Sequence, residues 1–262
     1  VHAAPGHGQE DFKVAQETGL PVVCPVRMDG TYDDGCGKWS GMRVKDADPL
    51  IIEELRRKGL LFHASTIRHD YPHCWRCKSP LLIMAVPQWF FRVTAIRDRL
   101  LEENSKVEWA PRWAGKRFED WLRSLGDWPI SRQRYWGIPL PIWTCSSCGH
   151  VVVGGSRREL AELGGDVPDD LHKPMIDEVV LRCPKCGGEM RRVPDVLDVW
   201  FDSGVAPWAS LGYPGKDDPF ERLWPVDLEI EGPDQIRGWW NSQLITSVMT
   251  FGVAPFRRIL YH

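Results

Sequence analysis

The 262-residue sequence contains no apolar run close to the ~20 residues that a membrane-spanning helix needs, and neither a signal peptide nor a lipidation signal. These absences exclude an integral membrane protein and predict a soluble, cytoplasmic one. An excess of basic residues is missing as well, since the net charge is −3 at pH 7 and the pI is about 6.3. No overall positive field therefore attracts nucleic acid, and any contact with RNA has to be local.

An initiator methionine is also lacking, because the chain begins with Val1 and stops at His262, directly after a strand predicted at 259–261. Both ends read as cuts inside structured elements, and we expect a piece of a longer protein. With 43% hydrophobic residues the chain can bury a substantial core. Its 14 tryptophans indicate aromatic-lined pockets or large buried faces.

Six of the eight cysteines form three Cys-x-x-Cys pairs, which indicates metal binding in a reducing compartment more than a disulfide framework. Two of these pairs are each followed at once by a glycine, and together they supply four thiolates: Cys145, Cys148, Cys183 and Cys186. Four thiolates close a tetrahedral Zn²⁺ site and leave no ligand position open for catalysis. We therefore predict structural zinc here, since a redox Cys-x-x-Cys would not need two matched pairs.

The third pair, Cys74 and Cys77, is also spaced for zinc, but two thiolates do not close a structural site. Cys24 and Cys36 are available to complete it, although they lack the paired spacing. The pair is predicted to be half of a metal site.

Residues 226–249 read as a strand, a tight turn and a helix. Apolar and acidic residues alternate over 226–231, which predicts a strand whose apolar face carries Val226, Leu228 and Ile230. Gly232 and Pro233 end the strand, and Asp234 is a good helix N-cap. The helix is predicted from Gln235, with one apolar stripe made of Ile236, Trp239, Trp240, Leu244, Ile245, Val248 and Met249.

Ligands of open α/β sheets lie at the carboxyl ends of strands, beside helix N-termini. Three residues fall at such a place: Glu231 is suited to an ammonium group, Gln235 follows one turn into the helix, and Trp239 is suited to an apolar wall. The segment therefore predicts a pocket for a small, amino-bearing, partly apolar ligand. The alternative is an ordinary strand–helix unit with a capped helix and core tryptophans.

Four strings along the chain resemble, in the same order, motifs of the isoleucyl-tRNA synthetases, which are class I aminoacyl-tRNA synthetases with a nucleotide-binding fold. The strings are HAAPGHGQED (2–11), SRQRYWGIPLP (131–141), DVWFDSG (198–204) and EGPDQIRGWWNS (231–242). The likeness covers essentially the whole chain. It implies that Glu231, Gln235 and Trp239 line the pocket for isoleucine and its adenylate, with Trp200 as a second wall facing Trp239.

The first string carries Asp11 near the N-terminus of a helix predicted over residues 9–18, where the helix dipole favours an acidic group. That electrostatic role alone would explain the residue. The resemblance implies instead an editing site, in which Asp11 binds the amino group of a misattached amino acid and His2 lines the same pocket. The threonine-rich half of that site would precede Val1, so we expect it to be incomplete here.

The resemblance also implies an α/β fold class and a domain organisation. The expected parts are the C-terminal part of a β-rich editing insertion (1–85), the return segment into the catalytic core (86–142), a zinc-ribbon insertion (143–192) and the second half of the Rossmann-like core (193–262). Within the return segment, Arg132, Arg134, Tyr135 and Trp136 form a basic and aromatic cluster. Contact with RNA and pairing of these arginines with local carboxylates are equally compatible with that cluster.

The activity implied by the resemblance is ATP-dependent attachment of isoleucine to tRNA(Ile), with ATP and Mg²⁺ as substrate, hydrolytic editing of mischarged valine, and a monomeric enzyme. The phosphate-binding motifs of such an enzyme would lie outside these 262 residues, so the segment alone is expected to be inactive. The alternatives are a valyl or leucyl enzyme, a free-standing zinc-ribbon module that binds RNA, and a free-standing editing hydrolase.

Overall fold

A computed structural model describes residues 3–262, apart from the side chain of Asp217. The chain divides into two units, Val1–Pro87 and Gln88–His262. His2, which the sequence places in an editing pocket, lies outside the described residues. Within the described chain, no helix is both long enough and apolar enough to cross a bilayer.

The first unit is built from two helices and irregular chain. Helix α1 (Gln9–Thr18) has the bounds predicted from the sequence. The sequence also predicts a helix over about 48–58 that Gly59 ends, and the observed helix α2 (Val44–Arg57) begins one turn earlier. Lys58 follows α2, and then Gly59 adopts a left-handed φ of 68°, which agrees with its prediction as a helix-ending glycine.

The strings GLPVVCPV and MDGTY predict a strand–turn–strand over residues 19–32, of which the structure forms the turn but no extended strand. Only isolated bridges form there, between Val26 and Tyr32 and between Thr31 and Arg43. The physical reason is local: the Asp29 carboxylate accepts hydrogen bonds from both the backbone N–H and the hydroxyl of Thr31, which favours a turn over a ladder.

The second unit alternates strands and helices. In chain order they are β1 (Phe90–Phe91), α3 (Arg97–Ser105), β2 (Glu108–Ala110), α4 (Arg112–Ser124), β3 (Trp128–Pro129), β4 (Ser131–Arg132), β5 (Ile142–Cys145), β6 (Val151–Val153), α5 (Arg157–Glu162), β7 (Leu181–Arg182), β8 (Glu189–Arg192), β9 (Val196–Leu197), α6 (Val199–Ala209), α7 (Asp217–Leu223), β10 (Glu229–Glu231), α8 (Trp239–Phe251) and β11 (Arg258–Tyr261). Short 3-10 turns precede α3 (Val93–Ile96), β7 (Met175–Glu178) and α8 (Pro233–Ile236), and another spans Asp34–Trp39 in the first unit.

A parallel sheet with the strand order β10–β11–β2 is the centre of this unit. Helices α3, α4 and α8 contribute to the core that covers it, in which the rings of Trp109 and Trp240 meet edge to face at 5.3 Å. Phe118, Leu244 and Ile259 are fully buried beside them. Parallel strands joined through helices confirm the predicted α/β class.

A separate antiparallel sheet of order β6–β5–β8–β7 lies within residues 142–192, nearly the range predicted for the zinc-ribbon insertion. It has its own small core, in which Trp143 is buried and donates its indole N–H to the Val179 carbonyl at 2.9 Å. Leu181 and Met190 complete that core. This module therefore has a hydrophobic core of its own, distinct from the one that covers the parallel sheet.

The strand predicted over residues 226–231 is shorter than expected, and its faces are reversed. Only Glu229–Glu231 pairs as a strand, while Leu228 is 50% exposed, Ile230 is 52% exposed and Glu229 is 8% exposed. Alternation shows that a strand has two faces but not which face is covered. Here Gln243 of α8 lies against the face that carries Glu229 and donates a hydrogen bond to its carboxylate.

Candidate functional site

The turn between β10 and α8 places the predicted pocket residues. Gly232 and the 3-10 turn Pro233–Ile236 separate the two elements, so α8 begins at Trp239 and not at Gln235. Asp234 is consequently not its N-cap. The Gln235 side chain takes that part instead, because its Oε1 accepts the backbone N–H of Trp239 at 2.8 Å.

Trp239 is fixed at both ends by hydrogen bonds. Its backbone N–H is held by Gln235, and its indole Nε1 donates to the Ser203 carbonyl of α6 at 2.8 Å. The amide nitrogen of Gln235 in turn donates to the Asp234 carboxylate at 2.9 Å. Hydrogen bonds therefore connect two of the predicted pocket residues, Gln235 and Trp239, and they join Trp239 of α8 to α6.

Trp200 lies in the first turn of α6, three residues after the end of β9. The strand ends at Leu197, and Asp198 caps the helix that follows. The Trp200 ring approaches α8 so closely that a Cβ added to Gly238 would lie 3.2 Å from it. Glycine at that position lets Trp200 reach the residue preceding Trp239.

A cavity of ≈ 240 Å³ opens beside this junction. Aromatic walls come from three tryptophans, and polar groups come from Asp127, Arg237, Asn241 and Ser242. The tryptophans are Trp121, Trp128 and Trp200. A cavity with mostly apolar walls and a few polar groups is typical of a small-molecule site.

Glu231 ends β10 and is half-buried. Its carbonyl accepts the backbone N–H of His262 at 3.3 Å. The side chains of Gln235 and Trp200 both approach Gly238, which precedes Trp239. Of the four predicted pocket residues, Trp200 lines the ≈ 240 Å³ cavity, whereas Glu231, Gln235 and Trp239 do not.

The four cysteines of the insertion converge. Their sulfur atoms all lie within 4.8 Å of one another, with 3.5 Å between Cys145 and Cys186 and 3.7 Å between Cys148 and Cys183. A tetrahedral Zn²⁺ with bonds of about 2.3 Å places its sulfurs roughly 3.8 Å apart, so the 3.5 and 3.7 Å distances are close to those that a bound ion would set.

Both cysteine turns have the same backbone form. The N–H of Gly149 donates to the Cys145 carbonyl at 3.0 Å, and the N–H of Gly187 donates to the Cys183 carbonyl at 2.8 Å. Both glycines have positive φ, 69° and 73°, which a side chain would strain. The backbone N–H of Cys148 lowers the pKa of the Cys145 thiol to about 6, whereas hydrogen bonds with the neighbouring Cys148 and Cys145 thiols raise the pKa of Cys186 to about 12.

Cys74 and Cys77 do not gain partners from Cys24 and Cys36. Among residues 3–262, no third metal-ligating side chain joins the pair. Cys36 is instead occupied by the Pro25 carbonyl at 3.7 Å and the Asp33 carboxylate at 3.5 Å. The completion by Cys24 and Cys36 is therefore wrong.

Asp11 lies in the first turn of α1, and its carboxylate accepts the backbone N–H of Ala4 at 2.9 Å. It lines a cavity of ≈ 180 Å³ together with Gly8, Gln9, Glu10 and Ile83. The loop that carries the first motif is thus folded back onto the carboxylate, beside an open cavity.

Comparison with known proteins decides the family. Residues 16–262 match the model of the tRNA synthetases class I (I, L, M and V). The chain belongs to this class I tRNA synthetase family.

The chain also aligns over its whole length with curated relatives. All of this class I synthetase chain aligns with isoleucine--tRNA ligases. It is 53% identical to the ligase of Methanopyrus kandleri and covers 26% of that protein. It is 51% identical to the ligase of Methanothermobacter marburgensis, of which it covers 26%, and 52% identical to that of Archaeoglobus fulgidus, of which it covers 25%. The chain therefore spans about a quarter of the length of the curated relatives it matches. The predicted resemblance to isoleucyl-tRNA synthetases is confirmed, and neither the valyl and leucyl alternatives nor a free-standing RNA-binding module is favoured.

Two buried acidic residues of this class I synthetase chain were not predicted from the sequence. The first is Glu229, a buried carboxylate that accepts a hydrogen bond from Gln243 at 3.0 Å and whose pKa burial raises to about 7. The second is Asp198, which is 4% exposed and receives hydrogen bonds from the return segment. Both are acidic residues beside apolar ones, and the sequence carries no local signal that they are buried.

The basic and aromatic cluster of this synthetase chain divides into two parts. Arg132 pairs with Asp198 at 2.8 Å, as the local alternative required, whereas Tyr135 and Trp136 are 65% and 69% exposed. Trp136 stacks on His172 of the insertion with ring centroids 5.0 Å apart. The RNA contact remains a prediction for the exposed part only.

Proposed function

We propose that this chain is part of an isoleucyl-tRNA synthetase that, as a complete polypeptide, activates isoleucine with ATP and Mg²⁺ and attaches it to tRNA(Ile). One observation carries the proposal: the α6–α8 junction brings Trp200, Gln235 and Trp239 together in a chain that is 53% identical to an isoleucine--tRNA ligase. In isolation these 262 residues lack the rest of such an enzyme, so we expect no activation from them alone.

The proposed pocket residues differ in the chemical group that each offers to the ligand. Trp200 and Trp239 supply flat apolar surface for a branched aliphatic side chain, and Glu231 supplies a carboxylate for a ligand ammonium or hydroxyl. Gln235 holds the start of α8 in place. Formation of an adenylate needs no covalent enzyme intermediate, so positioning and electrostatic stabilisation by such groups carry the reaction.

The four-cysteine module is proposed to be a zinc ribbon with Zn²⁺ held by Cys145, Cys148, Cys183 and Cys186. Its support is the sulfur geometry and the paired backbone turns. The ion would be structural, because four thiolates fill its coordination. The part of the chain before residue 86 is proposed to belong to an editing insertion, with Asp11 as the group that binds the amino group of a misattached valine.

The experiment measures isoleucine-dependent pyrophosphate exchange by the complete polypeptide that carries this segment, without tRNA. Trp200→Ala is expected to raise the KM for isoleucine about tenfold or more, since a lost aromatic wall costs more than 1.4 kcal/mol. Trp136→Ala is the matched control, because it removes an exposed tryptophan elsewhere on the same unit. Its exchange kinetics should not change.

The proposal fails if the wild-type polypeptide exchanges pyrophosphate with valine or leucine as efficiently as with isoleucine, or with none of them. Asp11→Ala in the same polypeptide tests the editing part separately. Activation should persist while valyl-tRNA accumulates; unchanged clearance of valyl-tRNA would remove Asp11 from the editing site.

A further inference from the structure

Asp198 is a buried carboxylate on which separate segments converge. It lies between β9 and α6 with 4% of its surface exposed. One oxygen, Oδ2, accepts from the indole Nε1 of Trp128 and from Nη2 of Arg132, both at 2.8 Å. The other oxygen, Oδ1, accepts the backbone N–H of Trp200 at 3.3 Å and so caps α6.

The donors to this carboxylate are not equivalent in what they do. Arg132 supplies the positive charge that makes a buried carboxylate tolerable. Trp128 and Trp200 both line the ≈ 240 Å³ cavity at the α6–α8 junction. A single side chain is therefore bonded to two aromatic walls of one cavity, one through a ring nitrogen and one through the backbone.

The surroundings support this arrangement. The Asp198 backbone N–H donates to the Ile130 carbonyl at 2.8 Å, which ties the start of α6 to the return segment. Phe91 fills the space below, with its ring centroid 5.9 Å from that of Trp128 and 5.7 Å from that of Phe201. Phe91 thus packs against Trp128 and against Phe201 of α6, and the carboxylate fixes the orientation of Trp128 and the starting point of the helix that carries Trp200.

We propose that Asp198 is a positioning residue for the amino-acid pocket: it holds Trp128 and Trp200 at the spacing that accepts the side chain of the substrate amino acid. This inference rests on the proposed function, since it assigns a role within the same site. Trp128 thereby becomes a wall of the pocket that the motif reasoning did not include. Asp198 itself contacts no substrate and acts through the two indoles.

The test uses Asp198→Asn in the complete polypeptide, again with pyrophosphate exchange in the absence of tRNA. Asparagine has nearly the same shape, but it removes the charge that Arg132 pairs with and retains only one oxygen for all three donors. The KM for isoleucine is expected to rise about tenfold, as hydrogen bonds to a charged group are lost. The kcat and the KM for ATP should change less than about threefold, because a misplaced wall weakens binding of the amino acid alone.

Two further variants separate positioning from general damage. Trp128→Phe keeps an aromatic ring in the cavity but removes the indole donor together with part of the ring surface, and it should reproduce part of the rise in KM for isoleucine, about threefold. Asp195→Asn is the control, since this half-buried aspartate lies three residues before Asp198, on the other side of β9, and its side chain makes no hydrogen bond within residues 3–262. Its kinetic constants should equal those of the wild type.

The outcomes are distinct. An unchanged KM for isoleucine in Asp198→Asn, or a loss of kcat with both KM values unchanged, overturns the positioning role. If Asp198→Asn does not fold, Trp128→Phe decides, and an unchanged KM in that variant overturns the proposal. Absence of isoleucine-dependent exchange in the wild type would instead refute the proposed function.

Discussion

The four-cysteine module and the α6–α8 junction lie in the same unit, but the sequence encodes them in opposite ways. The four ligands of the module come from two short turns whose spacing alone brings the sulfurs of each turn together. The junction instead depends on contacts between residues distant in the chain, such as Trp239 with Ser203 and Asp198 with Trp128.

The difference shows what sequence spacing can and cannot specify. A Cys-x-x-Cys-Gly turn is closed by a local hydrogen bond, from the N–H of its glycine to the carbonyl of its first cysteine. The orientation of a tryptophan at the junction is not determined by its neighbours in sequence, since its hydrogen-bond partner comes from another segment. Three changes test this contrast between local and long-range contacts, from the largest expected effect to the smallest.

Removal of one ligand from the cysteine module should have the largest effect. Cys145→Ser is expected to abolish stoichiometric zinc and to unfold the module, because metal binding in small zinc-folded modules contributes on the order of 10 kcal/mol. Zinc content by atomic absorption, together with limited proteolysis, measures both effects. A chelator strong enough to strip the wild type should produce the same cleavage pattern.

Cys36→Ser provides the matched control, since this cysteine lies beside Asp33 and belongs to no group of metal ligands in the described residues. Its zinc content should equal that of the wild type. Full zinc in Cys145→Ser would show that the module is held by its apolar core of Trp143, Leu181 and Met190 rather than by a metal ion.

The parts of the fold that could be predicted share this local character. Helix α1 and the glycine that ends α2 were recognisable from capping and periodicity, and the cysteine set from its spacing. The start of α8 was misplaced because a proline-led 3-10 turn precedes it, and propensity does not distinguish that turn from a first helical turn.

The site was only partly predictable for a related reason. Trp200 and Trp239 were found through motif likeness, but their hydrogen-bond partners were not. Alternation over 226–231 placed Glu229 on the solvent side, whereas the structure buries it against Gln243. A polar residue can be buried wherever another element supplies a donor, and that element cannot be identified from a local window.

Glu229 should make the stability of the α6–α8 side of the unit depend on pH. Its pKa rises from 4.5 to about 7 because it is buried. The folded chain therefore binds a proton more tightly than the unfolded chain, so this contribution to stability is complete below pH 4.5 and is lost as the pH rises to about 7. The loss amounts to about 3 kcal/mol.

Glu229→Gln should remove that slope, since glutamine still accepts a hydrogen bond from Gln243 and carries no charge at any pH. Urea unfolding between pH 5 and pH 8 measures the difference in unfolding free energy between the two chains. Asp227→Asn is the control, because Asp227 is exposed on the same strand edge and makes only a surface ion pair with Arg257. Equal slopes in wild type and Glu229→Gln would show that the carboxylate is already ionised in the folded chain.

The smallest effect is expected from a single long-range hydrogen bond. Trp239→Phe keeps an aromatic ring between α6 and α8 but removes the donor to the Ser203 carbonyl, which should lower the unfolding free energy by about 1 kcal/mol. Trp113→Phe is the matched control, since Trp113 is exposed and its indole nitrogen makes no hydrogen bond within residues 3–262. A loss no larger than that of the control would mean that α6 and α8 are held by apolar packing alone. The contrast with the cysteine module would then lie in burial rather than in specific long-range bonds.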